Sequence, residues 1–144
     1  MDRLGVASWL KKYEIINYTI NEDLSVDVGG DVSLLELNIV ELPVKFRTVS
    51  GNFTCSQNKL ISLVGCPSSV GGDFACNDNK LEVLDYCPEK VDGKFYCIGN
   101  KNLADIFNNM SFHEIKLYVK NKNLNESLSI GLVDVGKGVM GKKI

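Results

Sequence analysis

The chain has 144 residues, 44% of them hydrophobic and 24% charged, with a formal net charge of −2. This balance suits one soluble domain with a modest core and argues against the strongly basic footprint of a nucleic-acid binder. No run approaches the ~18 apolar residues of a membrane span, and Met1-Asp2-Arg3 leads into no secretory hydrophobic region, so a cytoplasmic location is expected.

Residues 3–14 place Leu4, Val6, Trp9, Leu10 and Tyr13 on one side of a helix, with Lys11 and Lys12 free to face water. A helix carrying an indole suits the open end of a stacked structure, so a capping role is expected. Residues 18–20 and 24–28, joined by Asn21-Glu22-Asp23, predict a hairpin.

One pattern then recurs at a spacing of 21 residues. It begins at Gly51-Asn52-Phe53-Thr54-Cys55-Ser56-Gln57-Asn58-Lys59-Leu60, continues to Leu63, Cys66-Pro67 and Val70, and starts again at Gly72 and Gly93. A degenerate first copy matches Gly30, Val32, Leu34, Ile39, Leu42 and Val49 to positions 21 residues later, although Leu37 stands where the later copies have Asn. A fixed period in the twenties, with alternating apolar residues followed by Asn-x-Leu, marks a leucine-rich repeat. Phe53, Phe74 and Phe95 should form one interior column of stacked strands and Cys55, Cys76 and Cys97 another. Asn58, Asn79 and Asn100 should satisfy inward backbone groups where the chain turns. Gly51, Gly72 and Gly93 are expected to ease a bend into the next strand. So short a unit leaves little room for outer helices, and extended or turn-like return segments are predicted.

After Ile98 the echo shifts to 22 residues, and Asn121-Lys122-Asn123-Leu124 repeats Asn100-Lys101-Asn102-Leu103. This arithmetic favours a last, imperfect strand rung centred on Ile115, Leu117 and Val119. The rival is a helix, because Ser111-Phe112-His113-Glu114 has the form of a capping box. Leu128, Ile130, Leu132, Val133 and Val135 could add a strand or cover the last rung. The expected architecture is mainly β: a short solenoid of period 21–22 with four to five rungs, an N-terminal helix and hairpin cap, and an irregular C-terminal cap. One domain over 1–144 is expected, divided into a cap at 1–28, repeats at 29–110, an imperfect rung or cap at 111–135 and a flexible tail at 136–144.

The five cysteines occupy only two repeat positions and form no C-x-x-C pair, so they are expected to be free core thiols rather than metal ligands or disulfides. His113 is the only histidine and has no nucleophile at motif spacing. No catalytic, metal or cofactor site is signalled. Lys59, Lys80 and Lys101 stack at one repeat position, where a solvated edge with Asp78 and Glu82 nearby is favoured over an anion site. The outward strand positions are the candidate partner-binding surface: Asn52, Thr54, Ser56, Asp73, Asn77, Lys94, Tyr96 and Ile98. Asp31, Ser33 and Ala75 share that face. Tyr96 beside Ile98, an aromatic next to an aliphatic among short polar side chains, has the composition of a binding hot spot; the equal alternative is that the C-terminal segment folds over the pair.

The element Val-x-Gly-Asp/Asn-Phe-x-Cys-x-x-Asn-Lys-Leu-x-x-Leu-x-x-Cys-Pro, at 49–67 and 70–88, closely resembles short leucine-rich-repeat proteins encoded by large tailed bacteriophages. Trp9-Leu10-Lys11-Lys12-Tyr13, Asn17-Tyr18-Thr19-Ile20-Asn21, Asp27-Val28-Gly29-Gly30-Asp31-Val32 and Leu42-Pro43-Val44-Lys45-Phe46 resemble the same proteins, so the likeness covers roughly residues 8–103. It implies a non-catalytic viral protein that acts through protein–protein interaction in the host bacterial cytoplasm. The expected partner is a host protein, with inhibition of an antiviral defence component, anti-CRISPR-like, as the implied role. Two rival readings stand beside it: a self-assembling phage protein forming a homodimer, and a weak nucleic-acid or nucleotide binder using the lysine row.

Overall fold

Short alternating segments that recur at a fixed interval can satisfy their backbone groups only by pairing with their own counterparts one turn away, and the observed architecture follows from that requirement. The computed structural model describes residues 1–136, with the side chains of 1–124. The predicted tail lies, past Gly136, outside the described residues. The chain groups into two compact units, Met1–Phe112 and a second beginning at His113.

The first unit opens with α1 (Arg3–Lys12), whose N-cap Asp2 accepts the Gly5 N–H and whose last turn carries Lys11 and Lys12. Val6 and Leu10 are buried, Trp9 and Tyr13 partly so, but Leu4 is 77% exposed and does not join the inward face. The predicted hairpin is present: β1 (Tyr18–Ile20) pairs antiparallel with β2 (Val26–Val28).

A mainly β solenoid of about three turns follows. One parallel sheet is built from β3 (Val32–Ser33), β5 (Phe53–Thr54), β7 (Phe74–Ala75) and β9 (Phe95–Tyr96), and Val32, Phe53, Phe74 and Phe95 lie in register. The return segments make a second sheet that the alternation did not announce. In it β4 (Phe46–Val49), β6 (Ser69–Val70) and β8 (Lys90–Val91) extend the hairpin in the order β1-β2-β4-β6-β8.

Between the sheets the predicted columns form. Phe53 and Phe74 are fully buried and stacked at 5.6 Å, Phe74 and Phe95 at 5.2 Å. Phe46 and Phe112 extend this aromatic column at its two ends, and Trp9 lies 6.3 Å from Phe46. Leu60, Leu63, Leu81 and Leu84 are buried in the same core. Each large apolar side chain so buried contributes about 1.5–3 kcal/mol, so the stack is stable where a single copy would not be.

The asparagine column carries the turns. Asn58 Oδ1 accepts the N–H groups of Leu37 and Ile39, at 2.9 and 3.2 Å, and its amide donates to the carbonyls of Leu34, Cys55 and Ser56. Asn79 and Asn100 repeat this one and two turns on. The residue before each is left-handed, with φ of 57° at Gln57, 56° at Asp78 and 85° at Gly99, and Glu36, before Leu37 in the degenerate first copy, shares that conformation at 57°. That reversal aims the amide inward.

Gly51, Gly72 and Gly93 have a different reason from the one expected. None is left-handed. A Cβ at these positions would overlap the side-chain oxygens of Asp31, Asn52 and Asp73, respectively, so the requirement is close approach between turns.

The favoured strand over the region of Ile115, Leu117 and Val119 is not formed. A 3₁₀ turn (Asp105–Asn109) buries Phe107, and α2 (Phe112–Gly136) then runs as one helix of 25 residues, so the fifth rung is absent and no strand forms at 128–135. The burial pattern gives the reason. Ile115 and Val119, four apart, are buried, whereas Leu117 is 47% exposed, which is a helical period and not an alternating one.

Candidate functional site

The outer face of the β3-β5-β7-β9 sheet carries three rows of side chains at the 21-residue spacing, and most of its polar groups are already engaged. Asp31 Oδ1 accepts the Asn52 N–H, Asn52 Oδ1 the Asp73 N–H and Asp73 Oδ1 the Lys94 N–H, each at 2.8 Å. In a second row Ser56 Oγ accepts the Asn77 N–H at 3.0 Å and Asn77 Oδ1 the Ile98 N–H at 2.8 Å. Thr54 Oγ1 accepts the Ser56 N–H at 3.2 Å.

Five of the eight expected partner-binding residues, Asn52, Thr54, Ser56, Asp73 and Asn77, thus tie one turn to the next or brace their own turn. Ser56 is 6% exposed and is not presented to solvent as the alternation suggested.

Lys94, Tyr96 and Ile98 stand apart. All three are exposed, Ile98 at 58%. They receive ladder bonds at the backbone while their side chains remain available, and together they put a cation, a phenol ring and a branched aliphatic on the last turn. Leu35, 45% exposed, occupies the position of Ile98 three turns earlier and was missed. The period itself locates it, since 35, 56, 77 and 98 form one row.

The five cysteines are free and lie in the interior, with Cys66 the least covered. Burial, reinforced by neighbouring thiols, pushes Cys66 and Cys76 well above the usual thiol range, and Cys97 to about 11. Such thiols are poor nucleophiles at neutral pH. Among the described residues no group of three His, Cys, Asp or Glu side chains is placed to hold a metal ion, and no helix is long and apolar enough to cross a membrane.

An ion pair with further hydrogen bonds lies elsewhere, on the hairpin sheet. Asp27 accepts Arg47 Nε at 2.9 Å and the Thr48 hydroxyl at 2.7 Å, and the Arg47 guanidinium above all holds its carboxyl far below the usual range. These bonds link residues 20 and 21 apart and brace the first turn.

Lys59, Lys80 and Lys101 stack on adjacent turns as predicted, in register through Lys59 N–H to Ile39 O and Lys80 N–H to Leu60 O. All three are exposed, and among the described residues none is paired with a carboxylate. Asp78 and Glu82 are close enough to line the same cleft without neutralising the row. No family model, curated protein or solved structure matches the chain.

Proposed function

We propose that the protein is a non-catalytic binding module of the leucine-rich-repeat type that grips a partner protein through the last turn of its outer sheet face. The observation that carries this reading is the contrast along that face. The polar side chains of the middle turns are tied up in inter-turn bonds, whereas Tyr96 and Ile98 are exposed side by side with Lys94 on their rim. An aromatic anchor beside an aliphatic one, on a sheet rigid before binding, loses little entropy on association. The buried thiols and the committed carboxylate and amide oxygens favour binding over catalysis.

The finer assignment rests on the repeat's resemblance to phage proteins. On it the partner is a host protein and the consequence is inhibition of an antiviral defence component.

The test is affinity capture from host lysate with wild type, Tyr96→Ala and Ile98→Ser side by side. A host protein retained by wild type should be lost from both variants while their melting temperatures stay within about 2 °C, as for other exposed substitutions. Equal retention by all three would remove this face from the site. A stable dimer in sedimentation, together with no retained host protein, would favour self-assembly instead.

A further inference from the structure

The flank of the solenoid just beyond the asparagine column carries two adjoining clefts of about 580 and 560 Å³ that share Lys59, Ile61 and Lys80. At one end Val40, Ile61 and Val64 are 59%, 68% and 54% exposed; the other reaches Lys101. The placement follows from the repeat. The left-handed residue at 57, 78 and 99 turns the asparagine inward, so the residue after it, a lysine in all three turns, points outward.

We infer that this flank is a docking groove for an extended acidic segment of a partner protein that also carries an aliphatic side chain. Charge complementarity is the first argument. Three like charges on successive turns, about 4.8 Å apart, have no carboxylate within ion-pair distance among the described residues, and carboxylates of a partner would pair directly with ammonium groups that Glu41, Asp78 and Glu82 line the clefts beside but do not contact.

Geometry is the second argument. The three lysines span roughly 10 Å, and a strand-like peptide lying along the solenoid axis advances about 3.4 Å per residue. Acidic side chains two positions apart share one face of such a peptide and lie about 6.8 Å apart, a spacing that the long lysine side chains of neighbouring turns span by a small splay. An aliphatic residue a few positions away reaches the Val40, Ile61 and Val64 patch.

The same flank argues against a phosphate backbone. Glu41, Asp78 and Glu82 also line the clefts and would repel an unbroken line of phosphates, whereas a peptide can set neutral or basic residues opposite them. This groove is distinct from the Tyr96 face and does not depend on it.

A library of random 12-residue peptides displayed on beads, selected on the full chain and counter-selected on K59E/K80E/K101E, tests the inference. Enriched peptides should carry two acidic residues two positions apart plus an aliphatic one. By fluorescence anisotropy they should bind at least tenfold more weakly to the triple variant, and several-fold more weakly to Ile61→Ser and when salt is raised from 50 to 300 mM. Tyr96→Ala should leave their affinity unchanged, which separates failure here from failure of the sheet-face reading. Were the triple variant to fold poorly, Lys80→Gln is read in its place, with a loss of roughly threefold expected and an unchanged Kd overturning the inference. No enrichment over the counter-selector, enriched peptides lacking acidic residues, or tighter binding of a single-stranded oligonucleotide than of any selected peptide would also overturn it.

Discussion

Replacing Asn79 tests whether the asparagine column holds the turns together. Asn79 is 6% exposed; its Oδ1 accepts the Leu60 N–H at 3.0 Å, and its amide donates to Cys55 O, Cys76 O and Asn77 O at 3.1–3.2 Å. In Asn79→Ala the three carbonyls keep other donors, namely the Asn58 amide, the Asn100 amide and the Gln57 N–H. The Leu60 N–H has no substitute. One orphaned donor costs about 1–3 kcal/mol, and with the weakened carbonyls and lost packing the total is about 2–4 kcal/mol, a large share of the ~5–15 kcal/mol of a typical domain. In urea denaturation monitored by circular dichroism the midpoint should fall accordingly, and the melting temperature by roughly 10 °C.

Asn79→Asp sharpens the test. It keeps the acceptor for Leu60 but turns a charged oxygen toward three carbonyls, so at pH 7 it should be worse than alanine. Burial raises the folded-state pKa of the new carboxyl above the ~3.9 of an unfolded Asp. The penalty is therefore complete above the folded pKa and fades as pH falls toward 4. Asn100→Ala, which orphans the N–H groups of both Asn79 and Leu81, should cost at least as much as Asn79→Ala. A loss below about 0.5 kcal/mol for Asn79→Ala, within the range of neutral surface substitutions, or a pH-independent penalty for Asn79→Asp, would refute the role assigned to the column.

Gly72→Ala should destabilise by about 1–3 kcal/mol through overpacking against Asn52; in an Asn52→Ala background the cost should shrink, a coupling that a double-mutant cycle in urea measures. Asp27→Asn should cost about 1 kcal/mol at pH 7 after solvent screening. Because the folded pKa of Asp27 is depressed, the gap between wild type and variant should be constant above about pH 5, shrink as pH falls below the unfolded value near 3.9, and be read as converging urea midpoints. Leu81→Asp, at a position with no exposed surface, should abolish the cooperative melting transition; a folded, soluble variant would contradict the inward assignment of the leucine column.

The columns were legible because each is a single residue type at one spacing: phenylalanine and cysteine on the strands, asparagine at the turn, leucine beyond it. The second sheet was not. Its strands β6 and β8 are two residues long, with Val70 buried and Val91 only partly so, and their partners lie 21 residues away, so no local alternation betrays them. The candidate face was half legible. Alternation placed Asn52, Asp73 and Asn77 outward, but short polar side chains on a parallel stack can also bond to the next turn, and here they do. The segment at 111–121 was ambiguous because Ile115, Leu117 and Val119 satisfy a period of two while Ile115 and Val119 alone satisfy a period of four.

The termination of the sheet settles that ambiguity in physical terms. Each turn supplies side-chain acceptors for the next: Asp31, Asn52 and Asp73 in one row, Ser56 and Asn77 in another. On the last turn both rows stop together, with Lys94 where an Asp or Asn would stand and Ile98 where a Ser or Asn would stand. A fifth strand laid there would meet an ammonium and a branched aliphatic instead of two oxygen acceptors. A helix closes its hydrogen bonds within itself and needs no such template, which accounts for the change to α2. The substitutions that end the ladder are also the ones that free Lys94 and Ile98 beside Tyr96. The turn that cannot pass on backbone order to another copy of the repeat is therefore the turn whose outer side chains are uncommitted, and any partner that reads the sheet face is best placed to read it at that end.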